Sequence, residues 1–135
     1  QCNRFFSFNA KKGFCIEVPA RKKKDEPCKL YRVRISESSY SEIVSRIQVF
    51  VSNPDDYRYS FLGILFCFFK IPIRLEKSYF CSQFVAEVLS SSGAVVLKRK
   101  PRVYLPRFFQ KERVFELCYE GTIKELAALS CAVCS

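Results

Sequence analysis

The residue best placed to do chemistry is Cys81, in the segment Tyr79-Phe80-Cys81-Ser82-Gln83-Phe84-Val85-Ala86. Cys81, Phe84, Val85, Val88 and Leu89 recur at helical intervals on one side and Gly93 is placed to end the run, which predicts a helix over Ser78 to Ser92 with Cys81 in its first turn. The unsatisfied N–H groups and the dipole at a helix start favour thiolate over thiol, and the same N–H groups can hold an oxyanion. That position suits a cysteine nucleophile. The competing reading is a structural cysteine, because free cysteine is among the most buried residue types. A cysteine nucleophile is ordinarily paired with a histidine base, and the chain contains no histidine.

The other cysteines read differently. The chain's eight, at positions 2, 15, 28, 67, 81, 118, 131 and 134, are scattered rather than arranged as a disulfide framework. Cys15 (in Gly-Phe-Cys-Ile), Cys67 (in Leu-Phe-Cys-Phe-Phe) and Cys118 (in Glu-Leu-Cys-Tyr) sit in apolar patterns and are expected to be buried and inert. This usage points to a reducing compartment, the cytoplasm. The one Cys-x-x-Cys, Cys131 to Cys134, has neither a second pair nor a histidine, so no metal site is expected, and no cofactor motif is present.

The net charge of +10 comes mainly from Arg21 to Lys24, from Lys98-Arg99-Lys100 with Arg102, and from the stretch Arg107 to Arg113. These runs are solvated turns or a basic surface for anionic partners. They lack the interleaved aromatics of a base-stacking platform, so no nucleic-acid partner is expected. The longest apolar run, Phe61 to Phe69, is about half the ~20 residues that a helix needs to cross a bilayer.

At 135 residues, 49% of them hydrophobic, the chain suits a single packed domain. The elements that would position Cys81 follow from patterning. Arg4 to Asn9 and Gly13 to Val18 read as strands either side of a Lys-Lys-Gly turn, and Lys29 to Ile35 as a third, with Tyr31, Val33 and Ile35 on one face. A helix is expected to start near Ser36 to Ser39 and to run to Val51, with Ser39 and Glu42 at capping-box spacing and Asn53-Pro54 ending it. Phe61 to Phe69 fits a buried helix or strand, with a helix closing before Pro72 preferred. Leu105 to Phe109 suggests a short helix with proline at its first position, and Val114 to Tyr119 an edge strand before a Glu120-Gly121 turn. Residues 127 to 135 are expected to be a fraying tail beyond a domain spanning 1 to 126. The whole is α+β, an antiparallel sheet of about three to five strands packed against helices.

The segment Tyr79 to Leu89 resembles the Cys-Ser-x-Phe-Val helix of permuted NlpC-like, or YiiX-like, papain-fold cysteine peptidases and amidases. The order of elements from Phe5 to about Leu126 is similar too: Phe-Ser-Phe in a strand, a basic loop, Leu-Tyr-x-Val in a strand, a long amphipathic helix, Arg58-Tyr59-Ser60-Phe61-Leu62-Gly63, Tyr104-Leu105-Pro106, and an ending through Tyr119-Glu120-Gly121. The resemblance implies a papain-like fold with Cys81 as nucleophile and a thioacyl intermediate formed on a peptide, amide or acyl-ester substrate. It implies that a polar partner falls on Phe5 to Asn9, where Ser7 and Asn9 are the candidates, and that Tyr79 is an oxyanion donor or wall. In that family the histidine lies on a strand before Phe5, so the resemblance implies a chain truncated at its N-terminus or a degenerate relative. Two other classes compete: a catalytically inactive papain-like binding module, and a basic membrane-surface or nucleic-acid binder, for which the Phe61 to Phe69 patch must be exposed.

Overall fold

The first strands form where aromatic residues flank a glycine turn. In the computed structural model, which describes residues 5–17, 25–71 and 75–133, β1 (Phe5–Asn9) pairs antiparallel with β2 (Gly13–Glu17), setting Phe8 opposite Phe14 and Ser7 opposite Cys15. Gly13 has φ +71°, and a Cβ there would lie 2.5 Å from the Tyr57 carbonyl oxygen, so both backbone and space call for glycine. A second antiparallel ribbon pairs β3 (Pro27–Val33) with β6 (Phe115–Thr122), with a register shift between Leu30 and Tyr31. β4 (Arg58–Tyr59) and β5 (Ser78–Tyr79) make a two-residue parallel ladder, extended by Arg58 N–H to Lys77 O and Ser60 N–H to Tyr79 O, both 2.9 Å.

The chain is α+β, but the expected sheet of three to five strands is replaced by three two-stranded ladders among the described residues. A cavity of about 290 Å³ lies between the two ribbons, lined by Phe5, Phe6 and Ser7 of β1 and Cys28, Lys29 and Leu30 of β3.

Among the described residues, five α-helices accompany the ladders: α1 (Glu37–Ser52), α2 (Phe61–Phe68), α3 (Cys81–Ser91), α4 (Pro106–Phe109) and α5 (Ile123–Val133). The cap of α1 is Ser36 rather than Ser39. Ser36 is the extended residue before the helix, and its Oγ accepts from Ser39 N–H at 3.1 Å. α2 starts the same way, with Gly63 N–H donating to Ser60 Oγ at 2.8 Å. α3 begins three residues later than the periodicity suggests, because the Ser78 and Tyr79 backbone is committed to β5. It ends before Gly93, at φ +71°.

The C-terminal region departs most from expectation. β6 runs through Glu120 and Gly121, where a turn was expected, since Cys28 and Lys29 supply partners for both. The expected fraying tail is instead α5, in which Ala127 is buried. Its start is a capping box: Thr122 Oγ1 accepts from Glu125 N–H at 3.3 Å while Glu125 Oε2 accepts from Thr122 N–H at 3.1 Å.

The core is aromatic. Phe8, Phe14, Phe84 and Val88 are buried together, with Ile43, Ile47 and Phe50 of α1 packed against them. Residues 98 to 112 are held by a buried polar cluster, in which Glu112 Oε1 accepts from Tyr104 Oη and from Lys98 N–H, both at 3.0 Å. Among the described residues no helix is long and apolar enough to cross a membrane. The basic run Arg21 to Lys24, Cys134 and the Cys131 side chain lie outside what the structure describes.

Candidate active site

Helix α3 starts on the candidate nucleophile itself. Phe80 is the extended residue before the helix (φ −102°, ψ 161°) and offers no side-chain cap, so the first N–H groups of α3 are not claimed by a capping side chain. Cys81 is exposed, whereas Ser82, Gln83 and Phe84 behind it are buried. The helix is anchored through Phe84, whose ring lies 5.0 Å from Phe8 and 5.1 Å from Phe50. Phe80, 2% exposed, packs on Gly63 of α2 from the other side. The thiol is therefore carried by a rigid element at solvent, as a nucleophile requires.

Cys81, Val85 and Leu89 recur every four residues and share one ridge of α3. Val85 and Leu89 line a cleft of about 970 Å³ between α3, α4 and the β3–β6 ribbon, with Tyr31, Val33, Phe109 and Phe115 as further walls. Lys29 and Glu120, ion-paired at 3.1 Å, also border it. A mostly apolar cleft of that volume suits a small organic ligand or the apolar part of a larger one. Its α3 wall begins one helical turn from the thiol.

Tyr59 lies within electrostatic reach of Cys81. Burial first, and then the negative charge of Cys81, push the Tyr59 pKa up. Tyr79 instead sets its ring in the core cluster, 5.3 Å from Phe8 and 5.6 Å from Phe50. Tyr59 and Tyr79 are ladder partners, so the β4–β5 pairing brings Tyr59 to the start of α3. Sequence reasoning had no access to that pairing, because two-residue parallel ladders carry no periodic signal. Beside the thiol, the Ser82 hydroxyl is buried and has no hydrogen-bond partner among the described residues.

Ser7 and Asn9 are not brought to Cys81. Side chains alternate along a strand, and since Phe6 and Phe8 pack with α3 in the core, Ser7 and Asn9 turn to the opposite face. Ser7 Oγ lies 3.2 Å from Cys15 Sγ, and Asn9 Oδ1 accepts from Lys11 N–H at 2.8 Å.

The remaining cysteines divide unevenly. Cys67 is 3% exposed, and burial pushes its thiol pKa up against the opposing pull of Arg107. Cys15 is half-buried. Cys118 is exposed, contrary to expectation, because the β3–β6 ribbon leaves Glu116, Leu117 and Cys118 uncovered on both faces. Among the described residues no three His, Cys, Asp or Glu side chains gather where a metal ion could be held. No protein-family model, curated protein or solved structure matches the chain.

Proposed function

We propose that the chain is the cysteine-bearing part of a permuted NlpC-like, papain-fold thiol hydrolase acting on an amide or ester carbonyl. The observation that carries this reading is the exposed Cys81 at the first position of α3, on a helix locked to the aromatic core and free of a side-chain cap. The Cys81 thiolate attacks the carbonyl carbon, a C–S bond forms, and the carbonyl π electrons move to oxygen. Backbone N–H groups of the first turn of α3 hold that oxyanion. Collapse expels the amine or alkoxide, which takes a proton from the general acid, and water then releases the acyl group from sulfur.

The acid and base must come from elsewhere, because the sequence has no histidine. The cavity between the ribbons is bordered by Phe5 to Ser7 of β1, Cys28 to Leu30 of β3, and Ile123 and Leu126 of α5. That opening supports a base delivered on an added strand.

Iodoacetamide at less than one equivalent, followed by peptide mapping of the folded chain, tests the nucleophile. Cys81 is modified before Cys118, although both are exposed, while Cys67 stays unmodified. Modification of Cys118 ahead of Cys81 would withdraw the assignment.

A further inference from the structure

Helix α2 is built the wrong way round for a soluble surface. Phe61, Leu62, Leu65, Phe68 and the capping Phe69 are 66%, 50%, 50%, 66% and 69% exposed, while the side facing the protein carries the small residues Gly63 and Cys67. At about 100° per residue the five exposed side chains fall within an arc of about 120°, a stripe that ordinarily faces a core. An apolar stripe this exposed marks an interaction surface.

The charge around it is one-sided. Lys70 follows the stripe directly and is exposed. The 3₁₀ turn Pro101–Val103, which carries Arg102 and is entered through the exposed Lys98, Arg99 and Lys100, packs against α2. Arg107 is near enough for its charge to act on the Cys67 thiol. No acidic residue occurs from Tyr57 to Ile71 or from Val88 to Lys111.

We propose that the exposed face of α2, with the basic segment Lys98 to Arg107 beside it, docks on an anionic lipid surface. Phenylalanine and leucine on one side and lysine and arginine at the margins are what an interfacial helix presents: the apolar side chains enter the headgroup boundary and the cations meet anionic headgroups. A protein partner would have to cover five large apolar side chains and also supply acid along two separate segments. At eight residues α2 lies on the surface and cannot span it. The Phe61 ring is 5.1 Å from that of Tyr59, which ties the proposed docking face to β4. The docking itself needs no thiol and stands apart from the hydrolase reading.

The test is cosedimentation of the 135-residue chain, and of Cys81→Ser, with vesicles of phosphatidylcholine alone and of phosphatidylcholine with about one-third phosphatidylserine. Both proteins bind the anionic vesicles, at least ~10-fold more weakly without phosphatidylserine, and release as salt rises. Phe61→Ser with Phe68→Ser and Phe69→Ser, all exposed, leaves the melting temperature in place and weakens binding at least ~10-fold. Leu62→Ser with Leu65→Ser does the same and serves if the triple variant does not fold. Lys70→Glu with Arg107→Glu abolishes the preference for phosphatidylserine. The proposal is overturned if no vesicle is bound, if the serine variants bind as the parent does, or if the parent forms a dimer that the serine variants lose, which would assign the face to a second copy of the chain.

Discussion

Replacing Tyr104 by Phe removes one hydroxyl from a fully buried position. Tyr104 is 0% exposed, and its Oη donates to Glu112 Oε1 at 3.0 Å inside a site where Glu112 is itself 7% exposed. The phenylalanine ring keeps the contacts with Phe108 and Phe109, so the change isolates the bond. A hydrogen bond to a charged partner contributes about 1.5–3 kcal/mol, and here the carboxylate is left with the Lys98 N–H. We take about 2 kcal/mol; at an unfolding entropy of about 2.1 cal/mol/K per residue over this chain, that lowers the melting temperature by about 7 °C. The pH dependence adds a second readout. Burial, and then the bond and charge of Glu112, raise the Tyr104 pKa above its ordinary value. The folded chain therefore keeps a proton that the unfolded chain loses near pH ~10. This contribution is fully present below that pH and is lost as pH rises toward the folded value. The parent should lose stability above pH ~10 more steeply than Tyr104→Phe, and the gap between them should narrow. Paired urea titrations from neutral to alkaline pH measure both effects. A loss under ~0.5 kcal/mol with parallel alkaline profiles would refute the buried cluster as the clamp on residues 98 to 112.

Phe84→Ala empties the position that joins α3 to the hairpin and α1, and should cost about 3–5 kcal/mol by denaturant titration. Gly13→Ala and Gly93→Ala both place a side chain at φ +71°, but only Gly13 has a carbonyl in the way. Gly93→Ala should cost about 1 kcal/mol and Gly13→Ala clearly more; equal melting shifts would contradict the packing of Tyr57 against the β1–β2 turn. The Glu125 carboxyl is held below its usual range by the Thr122 N–H, then by the Tyr119 and Thr122 hydroxyls. A depressed carboxyl stabilises the fold above its unfolded pKa of ~4.3, and that contribution is lost as pH falls through the folded value. Helicity by circular dichroism should fall over that acid window in the parent, and Glu125→Gln should flatten the change.

The elements with strong local signals were legible. Alternating aromatics gave β1 and β2, the 3.6-residue period gave α1 and most of α3, and proline at its first position gave α4. What failed was decided at a distance. β5 took Ser78 and Tyr79 from α3 because β4 offered hydrogen bonds, and β6 continued through Glu120-Gly121 because β3 lay opposite. The cap of α5 was visible as Thr-x-x-Glu at Thr122 and Glu125, yet the small, weakly patterned residues after it read as a tail. Within the site, the position of Cys81 at the helix start followed from the pattern, but its exposure did not, since the periodicity grouped it with Phe84 and Val88. Burial could not be read in the same way: Phe61 to Phe69 has the composition of a core segment and lies on the surface. Ser7 and Asn9 were chosen by their chemistry, and only the packing of Phe6 and Phe8 reveals that they lie on the strand face turned away from the core.

The central claim, that Cys81 is a nucleophile poised for acyl transfer, is tested most directly by acylating the folded chain with a p-nitrophenyl ester and mapping the thioester by mass spectrometry, with and without added imidazole to stand in for the absent base. A thioester on Cys81 is expected to form at least ~10-fold faster than on Cys118, which is also exposed, with imidazole-dependent turnover that Cys81→Ser abolishes. Acylation of Cys118 at the same rate, or turnover that survives Cys81→Ser, would contradict it.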